Sequence, residues 1–396
     1  MRLTGLALAA LLTTTTLTAC GSDDPDTSPS TSPTSSPTAG ASTGAPAGQP
    51  LPAGVTARLD KILARAVRSG DLPGVAVGVW GKDGEYVAAA GVADRATRAP
   101  MRTDLFHRIG SVTKTFTVTA LLVLVDQGRL DLDDPVDRYV DGVPAGDRIT
   151  LRQLAGMTSG LDDYTFTPDF VPDYLADPAA GMEPASLVAR IKGTAPRFAP
   201  GSEVAYSNTN TVLLGMVIEK ITGQELAEVI AELVTAPLGL GDTVLPTGTE
   251  IPDPHARGTT NQTADGSLQD VTDWNPSWAW AAGAMTSTME DLRIWAPALA
   301  KGTLLSPALQ AERLRARPLA EDADGAGYGL GLFDVNGWIG HNGSLPGYKT
   351  VVVYLPEADL TLVAMTNTDA EDEKHNLAGS VVSPITALLT PDHVYR

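Results

Sequence analysis

The amino-acid sequence predicts an α+β fold in which one antiparallel sheet is built from both ends of the folded part of the chain. Strand-like segments joined by short turns lie near residues 74–90 and again after residue 329. Between them, from about residue 129 to 300, the pattern is mostly helices and long loops rich in Pro, Gly and Asp. Because short turns connect antiparallel neighbours, we expect terminal helices to flank the sheet and a mostly helical region to be inserted into it.

The first 52 residues are not expected to join this fold. Residues 1–20 contain one early Arg, an apolar run and Leu17-Thr18-Ala19-Cys20, a pattern typical of a secretory signal and too short to span a bilayer. The last four residues resemble the lipobox of bacterial lipoproteins, which implies cleavage before Cys20 and acylation of that cysteine. Residues 21–52, mostly Ser, Thr, Pro, Gly and Ala, predict a disordered linker. We therefore expect an exported protein, lipid-anchored to the outer face of a bacterial cell membrane.

The folded domain is placed at residues 53–396, with its sheet part at about 53–110 and 300–396 and its helical part at about 111–299. Its first elements are a helix and a hairpin. Val55–Ser69 has apolar residues at helical spacing and is followed by a glycine. Two strand-like segments joined by a four-residue turn then predict a β-hairpin; they are Gly74–Trp80 and Glu85–Ala90.

The stretch from Gly110 to Gly128 predicts a buried helix with two polar groups in its first turn. Ser111 is a favourable N-terminal residue, the interior is apolar almost all round, and Gly128 provides a left-handed stop. Ser111 and Lys114 share one face, about one turn apart. The helix dipole there favours an alkoxide and disfavours a second cation, which is one way to activate a nucleophile without a His–Asp pair. The alternative is that Ser111 only caps the helix and that Lys114 is an ordinary solvated lysine. The two residues alone do not distinguish these interpretations.

The remaining elements follow the same signals. The clearest helices of the middle region are Leu151–Met157, Asn210–Thr222 and Met289–Leu299, the last with Ser287 or Thr288 as its cap. The last hundred residues return to strands and a closing helix; the strands are Gly329–Val335, Trp338–His341, Lys349–Tyr354 and Leu360–Thr366, and the helix is Leu377–Leu389.

Composition excludes several classes of function. The chain has 47 acidic and 28 basic residues and no long basic run, so we expect no nucleic-acid partner, because phosphate contact needs clustered Lys and Arg. A single cysteine allows no internal disulfide. The histidines lie in no metal-binding pattern, and we expect neither a metal nor a cofactor.

Two further short motifs carry polar chemistry. Tyr206-Ser207-Asn208 is placed in a loop at a helix start, and His341-Asn342-Gly343 at the end of a strand. Each has an ordinary alternative, since the first motif could be a half-buried aromatic with a helix cap, and the second a strand-ending turn. S-x-x-K, Y-x-N and H-x-G each occur once, in that order. Their joint occurrence favours a functional interpretation.

These motifs resemble those of the penicillin-recognising serine hydrolases, which include class C β-lactamases, Streptomyces-type D-Ala-D-Ala carboxypeptidases and family VIII esterases. The similarity spans roughly residues 54–390. It implies that Ser111 is the acylated nucleophile and that Lys114 is its partner in proton transfer. It also implies that the Tyr206 phenol or phenolate takes the Ser111 proton and returns it to the leaving group. Which of these two groups is the resting base stays open.

The same resemblance implies roles for the other motif residues. Asn208 would orient Lys114 and the substrate, and His341 stands where many relatives have Lys. Gly343 would let the substrate lie along the strand edge. The backbone N–H groups of Ser111 and Ser344 would form an oxyanion hole. The implied substrate-binding residues are thus Asn342, Gly343 and Ser344.

Two departures from the sequence pattern of the family narrow the range of substrates that we expect. His341 is largely neutral near pH 7, which removes one fixed positive charge relative to a Lys. Residues 318–348 contain no Lys or Arg, and the nearest cations in sequence are Lys349, Arg315 and Arg317. This absence argues against a carboxypeptidase, which must hold a terminal carboxylate, and leaves esters and neutral amides. The absence of S-D-N and K-T-G excludes the class A β-lactamases.

The sequence thus predicts a monomeric serine hydrolase that acts through a Ser111 acyl-enzyme on an amide, a β-lactam or an ester, with a small molecule or a cell-wall peptide as substrate. Two alternatives are a carboxylesterase of the family VIII type and a non-catalytic, penicillin-binding-like surface lipoprotein. All five polar motif residues are present, which argues against the second.

Overall fold

The computed structural model describes residues 48–68, 72–319, 325–370 and 376–396. Cys20, the signal segment and most of the predicted linker lie outside this part of the chain. The strands in this part of the chain are β1 (Gly74–Gly81), β2 (Gly84–Gly91), β3 (His107–Arg108), β4 (Thr259–Thr260), β5 (Gln269–Asp270), β6 (Thr286–Ser287), β7 (Arg317–Pro318), β8 (Ala326–Tyr328), β9 (Phe333–Val335), β10 (Trp338–Leu345), β11 (Tyr348–Leu355) and β12 (Leu360–Thr366). Eight of them form one antiparallel sheet in the order β2-β1-β12-β11-β10-β9-β8-β7.

This sheet confirms the predicted α+β class and its construction from both chain ends. β1 and β2 form the predicted hairpin, in which Gly81 pairs with Gly84. β1 then pairs on its other edge with β12 from the far end of the chain, and Val75 lies opposite Thr366. The short strands β3 to β6 form two separate two-stranded sheets.

The helices surround the sheet and fill the inserted region. Their bounds are α1 (Ala53–Arg68), α2 (Thr113–Asp126), α3 (Leu151–Ala155), α4 (Phe170–Ala176), α5 (Pro184–Ala189), α6 (Asn208–Thr222), α7 (Leu226–Ile230), α8 (Ala236–Leu238), α9 (Met289–Lys301), α10 (Pro307–Arg313) and α11 (Ser383–Leu389). Among the described residues, no helix is both long enough and apolar enough to cross a membrane.

The two faces of the sheet bury separate cores. Val75, Val77 and Val79 point from alternate positions of β1 into a cluster that also contains residues of α1 and α11. Ala76 points the other way, into a larger cluster around α2, α6 and α9. The terminal helices therefore cover one face and the helical region covers the other.

Several boundaries differ from the sequence-based expectation. The folded part begins before residue 53, because the backbone N–H of Leu51 donates to Glu85 O and that of Glu85 donates to Gln49 O. The closing helix is irregular, with a π-helical turn over Ala378–Val382 ahead of α11. β10 continues to Leu345, so the H-x-G motif lies inside a strand rather than at its end.

The predicted helix over 110–128 is also divided. A 3₁₀ turn covers Gly110–Val112 and α2 starts only at Thr113. Ser111 therefore lies in the turn before the α-helix, and no side-chain capping bond occurs there. Gly128 has a φ of +68°, as predicted for the residue that ends the helix.

Candidate active site

The turn that carries Ser111 lies directly against strand β10. Gly110 has a φ of +54°, and a Cβ on it would lie 2.5 Å from the backbone N of Ser344. A Cβ on Gly343 would lie 1.9 Å from Ile109 O. Both contacts are too close for any side chain, so glycine is required on each side of the junction. Gly343 thus allows two backbone segments to approach closely, while its expected role of letting the substrate lie along the strand edge stays a prediction.

This junction brings two predicted backbone donors to one place. β9 pairs with β10 only from Trp338 to Gly340, so the following residues leave that edge of β10 free of β9. The Ser111 turn lies at β10 beyond this point, and Ser111 and Ser344 are both half-buried rather than enclosed. Their N–H groups are therefore candidates for an oxyanion hole that a substrate could reach.

The Lys114 amine lies at the centre of the site. Its side chain has no exposed surface, and Nζ donates to Ser111 Oγ at 3.0 Å, Asn208 Oδ1 at 2.8 Å and Ala282 O at 2.7 Å. Burial lowers the pKa of Lys114 to about 7, against the opposing effect of the Asp163 charge. The amine can therefore lose a proton near neutrality and accept one from Ser111.

Tyr206 is the second side chain that contacts the nucleophile. Its hydroxyl is hydrogen-bonded to Ser111, and Lys114 Nζ is 4.9 Å from the centre of its ring. The residue as a whole is half-buried, and burial of its hydroxyl raises the pKa of Tyr206 well above the usual range for tyrosine. The resting group is thus a phenol, and Lys114 is the one of the two candidate bases whose pKa lies near 7.

Asn208 connects Lys114 to a buried carboxylate that the sequence did not single out. Asn208 is the first residue of α6, not a loop residue, and it is almost fully buried. Its Oδ1 faces Lys114, while its Nδ2 and its backbone N donate to Asp163 Oδ2 at 2.9 and 2.8 Å. Asp163 lies in the loop after α3 and is 7% exposed.

His341 is placed beside the cluster as a neutral group. Its Nδ1 faces the backbone O of Asn342, which can only accept, so Nδ1 carries the proton. Nε2 then accepts from the Tyr328 hydroxyl at a long 3.3 Å. Burial lowers the pKa of His341 to about 3, and the nearby Lys114 charge adds to that effect. The imidazole ring of His341 is therefore neutral near pH 7.

Three contributors escaped the sequence analysis, namely Asp163, Tyr328 and the carbonyl of Ala282. Asp163 stands in an acidic pair within a loop, a position that in sequence resembles a solvated turn. Tyr328 precedes a Gly-rich segment and carries no motif. A backbone carbonyl has no sequence signature at all. Only the position of β10 and α6 in three dimensions brings them to Lys114 and His341.

The fold and the site together define a class of protein. An antiparallel sheet from both chain ends, with a Ser–Lys–Tyr cluster between the sheet and a helical region, is the architecture of serine hydrolases of the β-lactamase type. The family model for beta-lactamase matches residues 59–382. The chain belongs to the beta-lactamase family, a family of serine hydrolases.

Similar proteins include hydrolases with several named activities. The chain is 33% identical over 304 residues to a D-aminopeptidase of Brucella anthropi and 37% identical over 205 residues to esterase EstB of Burkholderia gladioli. These matches cover 74% and 48% of the chain but 56% and 51% of the relatives, so the chain spans about half the length of these curated relatives.

Solved structures match over most of their length. A D-stereospecific amidohydrolase from Streptomyces sp. has a TM-score of 0.75 at 32% identity, covering 85% of the chain and 99% of that protein. The D-amino acid amidase of Ochrobactrum anthropi SV3, complexed with D-phenylalanine, has a TM-score of 0.75 at 28% identity, covering 85% of the chain and 98% of the amidase.

Proposed function

We propose that the chain is an exported, lipid-anchored serine hydrolase that cleaves amides or esters through an acyl-enzyme on Ser111. The observation that carries this proposal is the triple hydrogen bonding of the buried Lys114 amine, one bond of which ends on the Ser111 hydroxyl. A buried lysine with a lowered pKa beside an accessible serine is the arrangement that nucleophilic catalysis requires.

The first half of the reaction is acylation. The Ser111 O–H bond breaks and its proton moves to the neutral Lys114 amine, while Oγ forms a bond to the substrate carbonyl carbon. The N–H groups of Ser111 and Ser344 stabilise the negative charge on the carbonyl oxygen. The Tyr206 phenol then donates its proton to the leaving amine or alcohol as the bond to carbon breaks, and it regains a proton from the Lys114 ammonium. Water resolves the acyl-enzyme by the reverse transfers.

Amides of D-amino acids are the substrates that the comparisons favour. Two relatives that are covered almost completely by the chain are a D-stereospecific amidohydrolase and a D-amino acid amidase. A small apolar pocket, lined in part by Phe170, Tyr174 and Trp278, lies behind Asp163, which is hydrogen-bonded to Thr165 in the pocket wall. Neither Ser111 nor Lys114 lines this pocket, so the preference for a D-amino acid amide rests on these two relatives.

The test is a substrate panel with the mature protein. D-phenylalanine amide should be cleaved faster than L-phenylalanine amide, and a fluorophosphonate should leave a mass adduct on Ser111. Ser111→Ala should lose both activities while its circular dichroism stays unchanged, which also excludes a non-catalytic binding protein. If folded protein forms no adduct on Ser111 with a fluorophosphonate or a fluorescent penicillin, the proposal is wrong.

Faster turnover of p-nitrophenyl acetate than of any amide would support an esterase.

One observation favours a second substrate class. Lys349 on β11 lies directly opposite Ser344 on β10, and side chains of directly opposed residues lie on the same face of a sheet. A cation therefore stands closer to the candidate oxyanion hole than its place in the sequence suggested. If the substrate is a β-lactam or a D-Ala-D-Ala peptide, Lys349→Ala should raise KM for nitrocefin and leave KM for a neutral ester unchanged.

Export and anchoring rest on the sequence of residues 1–20 alone. We propose that Cys20 carries acyl chains that hold the domain at the outer face of the membrane. Cys20→Ser expressed in a bacterial host should move the protein from the membrane fraction to the soluble exported fraction. An unchanged distribution would contradict the anchor while leaving the proposed chemistry untouched.

A further inference from the structure

Asp163 is an ionisable group that is buried near the candidate active site. The residue is 7% exposed and lies in the loop between α3 and α4, and its side chain is hydrogen-bonded to Asn208 and Thr165. An ionised carboxylate in such a place is stable only where hydrogen-bond donors or a nearby cation compensate for its burial.

The hydrogen bonds around Asp163 indicate an ionised carboxylate. Oδ2 accepts from the backbone N and the Nδ2 of Asn208, and Oδ1 accepts from the backbone N of Thr165 at 3.0 Å and its Oγ1 at 2.8 Å. Three of these four partners are N–H groups that can only donate, so Oδ2 has no acceptor for a carboxyl proton. Burial raises the pKa of Asp163, while these donors and the Lys114 charge oppose that rise.

The same contacts decide how the Asn208 amide is oriented. An amide has one accepting end and one donating end, and its two ends have nearly the same shape. Because a carboxylate can only accept, Nδ2 must face Asp163 and Oδ1 must face Lys114. With an uncharged amide in place of Asp163, both orientations would be satisfied, and in one of them Nδ2 would point its hydrogens at the Lys114 amine.

Asp163 is also the carboxylate that acts electrostatically on Lys114. The two charges are bridged by the Asn208 side chain, through contacts of 2.8 and 2.9 Å. The other titratable groups around the amine come from separate elements: Tyr206 ahead of α6, Tyr164 after Asp163, and Tyr328 and His341 from the sheet. All four are neutral at pH 7, because burial raises the pKa of the tyrosines and lowers that of His341.

We propose that Asp163 is a positioning residue of the catalytic site, whose carboxylate holds the accepting end of Asn208 toward Lys114 and supplies the negative charge that sets the proton affinity of the Lys114 amine. The proposal rests on the proposed function only where activity is concerned, since orientation and proton affinity can be measured without a substrate. Asp163 acts through Asn208 and does not touch the reacting atoms.

The test compares Asp163→Asn with wild type by NMR. The ¹³Cε resonance of Lys114, assigned by its loss in Lys114→Arg, reports the protonation of the amine directly. Removing the negative charge should move the midpoint of this titration to lower pH, by on the order of one pH unit. The pH at which kcat/KM falls on the acid side should move in the same direction, and the maximal kcat/KM should drop because Asn208 is no longer held in one orientation.

Two control variants separate charge from local structure. Asp162→Asn makes the same chemical change one residue earlier, at a half-buried carboxyl, and should leave the Lys114 midpoint in place. Thr165→Val removes a hydrogen bond to Oδ1 but keeps the charge, and it should also leave that midpoint in place. An Asp163→Asn midpoint that is unchanged or higher would overturn the proposal, even if activity falls, because loss of activity at a constant midpoint is what a purely structural role predicts.

A measurement on wild type keeps the proposal testable if Asp163→Asn does not fold. The ¹³Cγ resonance of Asp163 should show an ionised carboxylate throughout the Lys114 titration. Uptake of a proton by Asp163 at or above the Lys114 midpoint would overturn the proposal. A Lys114 amine that titrates as expected in a protein without hydrolytic activity would instead contradict the proposed function and leave the role of Asp163 intact.

Discussion

Burial acts in opposite directions on the two groups beside Ser111. It lowers the pKa of Lys114 to about 7 and raises that of Tyr206, because in each case it disfavours the charged form. An uncharged amine and an uncharged phenol therefore coexist next to the nucleophile near neutral pH. One can accept a proton while the other donates one, which is the pairing that acylation and departure of the leaving group require.

The acid side of the activity profile should therefore report Lys114. Below its pKa of about 7 the amine is protonated and cannot accept the Ser111 proton, so kcat/KM should fall as the pH decreases through that value. The measurement is kcat/KM for a p-nitrophenyl ester between pH 5 and 9, with non-enzymatic hydrolysis subtracted. Lys114→Arg should lower kcat/KM by about 100-fold or more at every pH. A flat wild-type profile would contradict the assignment of the base.

His341 should contribute no titration to this profile. Because its pKa is lowered to about 3, the ring is neutral throughout the range measured. His341→Gln should reduce the rate through lost packing but leave the midpoint of the acid side where it is in wild type. The decisive comparison is the two profiles recorded in one buffer series. Loss of a titration step between about pH 5.5 and 7.5 in the variant would mean that the histidine is charged in the active enzyme.

At the scale of elements, the site depends on how closely one strand and one turn approach. β10 contributes His341 to Ser344, and the turn at Gly110–Val112 contributes the nucleophile. Their backbones touch at Gly343 and Gly110, where no side chain fits. The relative position of the candidate oxyanion donors is thus determined by backbone packing and not by any side chain.

Gly343→Ala should separate these two elements. Its Cβ would overlap Ile109 O, so the strand or the turn must move, and we expect a loss of acylation rate of about 100-fold and of stability of roughly 2 kcal/mol. Fluorophosphonate labelling and urea unfolding measure the two effects. Gly54→Ala is the matched control, because nothing lies within 4 Å of its Cβ in α1. It should leave labelling unchanged and stability equal or slightly higher. Normal labelling of Gly343→Ala would contradict this view of the junction.

The sequence predicts an element well when neighbouring residues determine its conformation, and poorly when contacts with distant segments determine it. The hairpin, α1, α9 with its Thr288 cap, and β12 follow from periodicity and turn residues, and they agree closely with the structure. The division of the helix at Thr113 was missed, because tight packing against β10 imposes a 3₁₀ turn that local propensity does not encode. The length of β10 was missed for a similar reason, since its Gly-rich half looks like a turn until its neighbours are known.

The same distinction applies to the candidate site. Ser111, Lys114, Tyr206, Asn208 and His341 are found from motifs, and the structure brings all five together. The size of the shift in the His341 pKa and the importance of Asp163 could not be found in this way. Both depend on burial and on partners more than forty positions away in the chain, which a single sequence does not display.

On the scale of the whole molecule, the sheet joins the two chain ends into one cooperative unit. Ile385 of α11 has no exposed surface and packs in the same cluster as Val75, Val77 and Val79 of β1. The sheet therefore cannot lose its terminal helices without exposing its core. We expect unfolding and inactivation to be a single transition.

Ile385→Ala tests this coupling far from the active site. It removes buried apolar volume and should cost about 3 kcal/mol, lowering the melting temperature and the temperature of inactivation by the same amount. At 25 °C its kcat/KM should equal that of wild type. Leu388→Ala, at a half-buried position of the same helix, should have a smaller effect on both temperatures. Inactivation well below the melting transition would show that the active site unfolds separately.

The pairing of β1 with β12 also sets an order of events during synthesis. β1 ends at Gly81, yet its partner strand β12 begins only at Leu360. The turn that carries Ser111 likewise packs against β10, which ends at Leu345. A ribosome must therefore release the chain as far as β12 before the sheet can close. Long-range pairing of this kind folds slowly. A nascent chain therefore cannot assemble the candidate active site until β10, β11 and β12 have emerged.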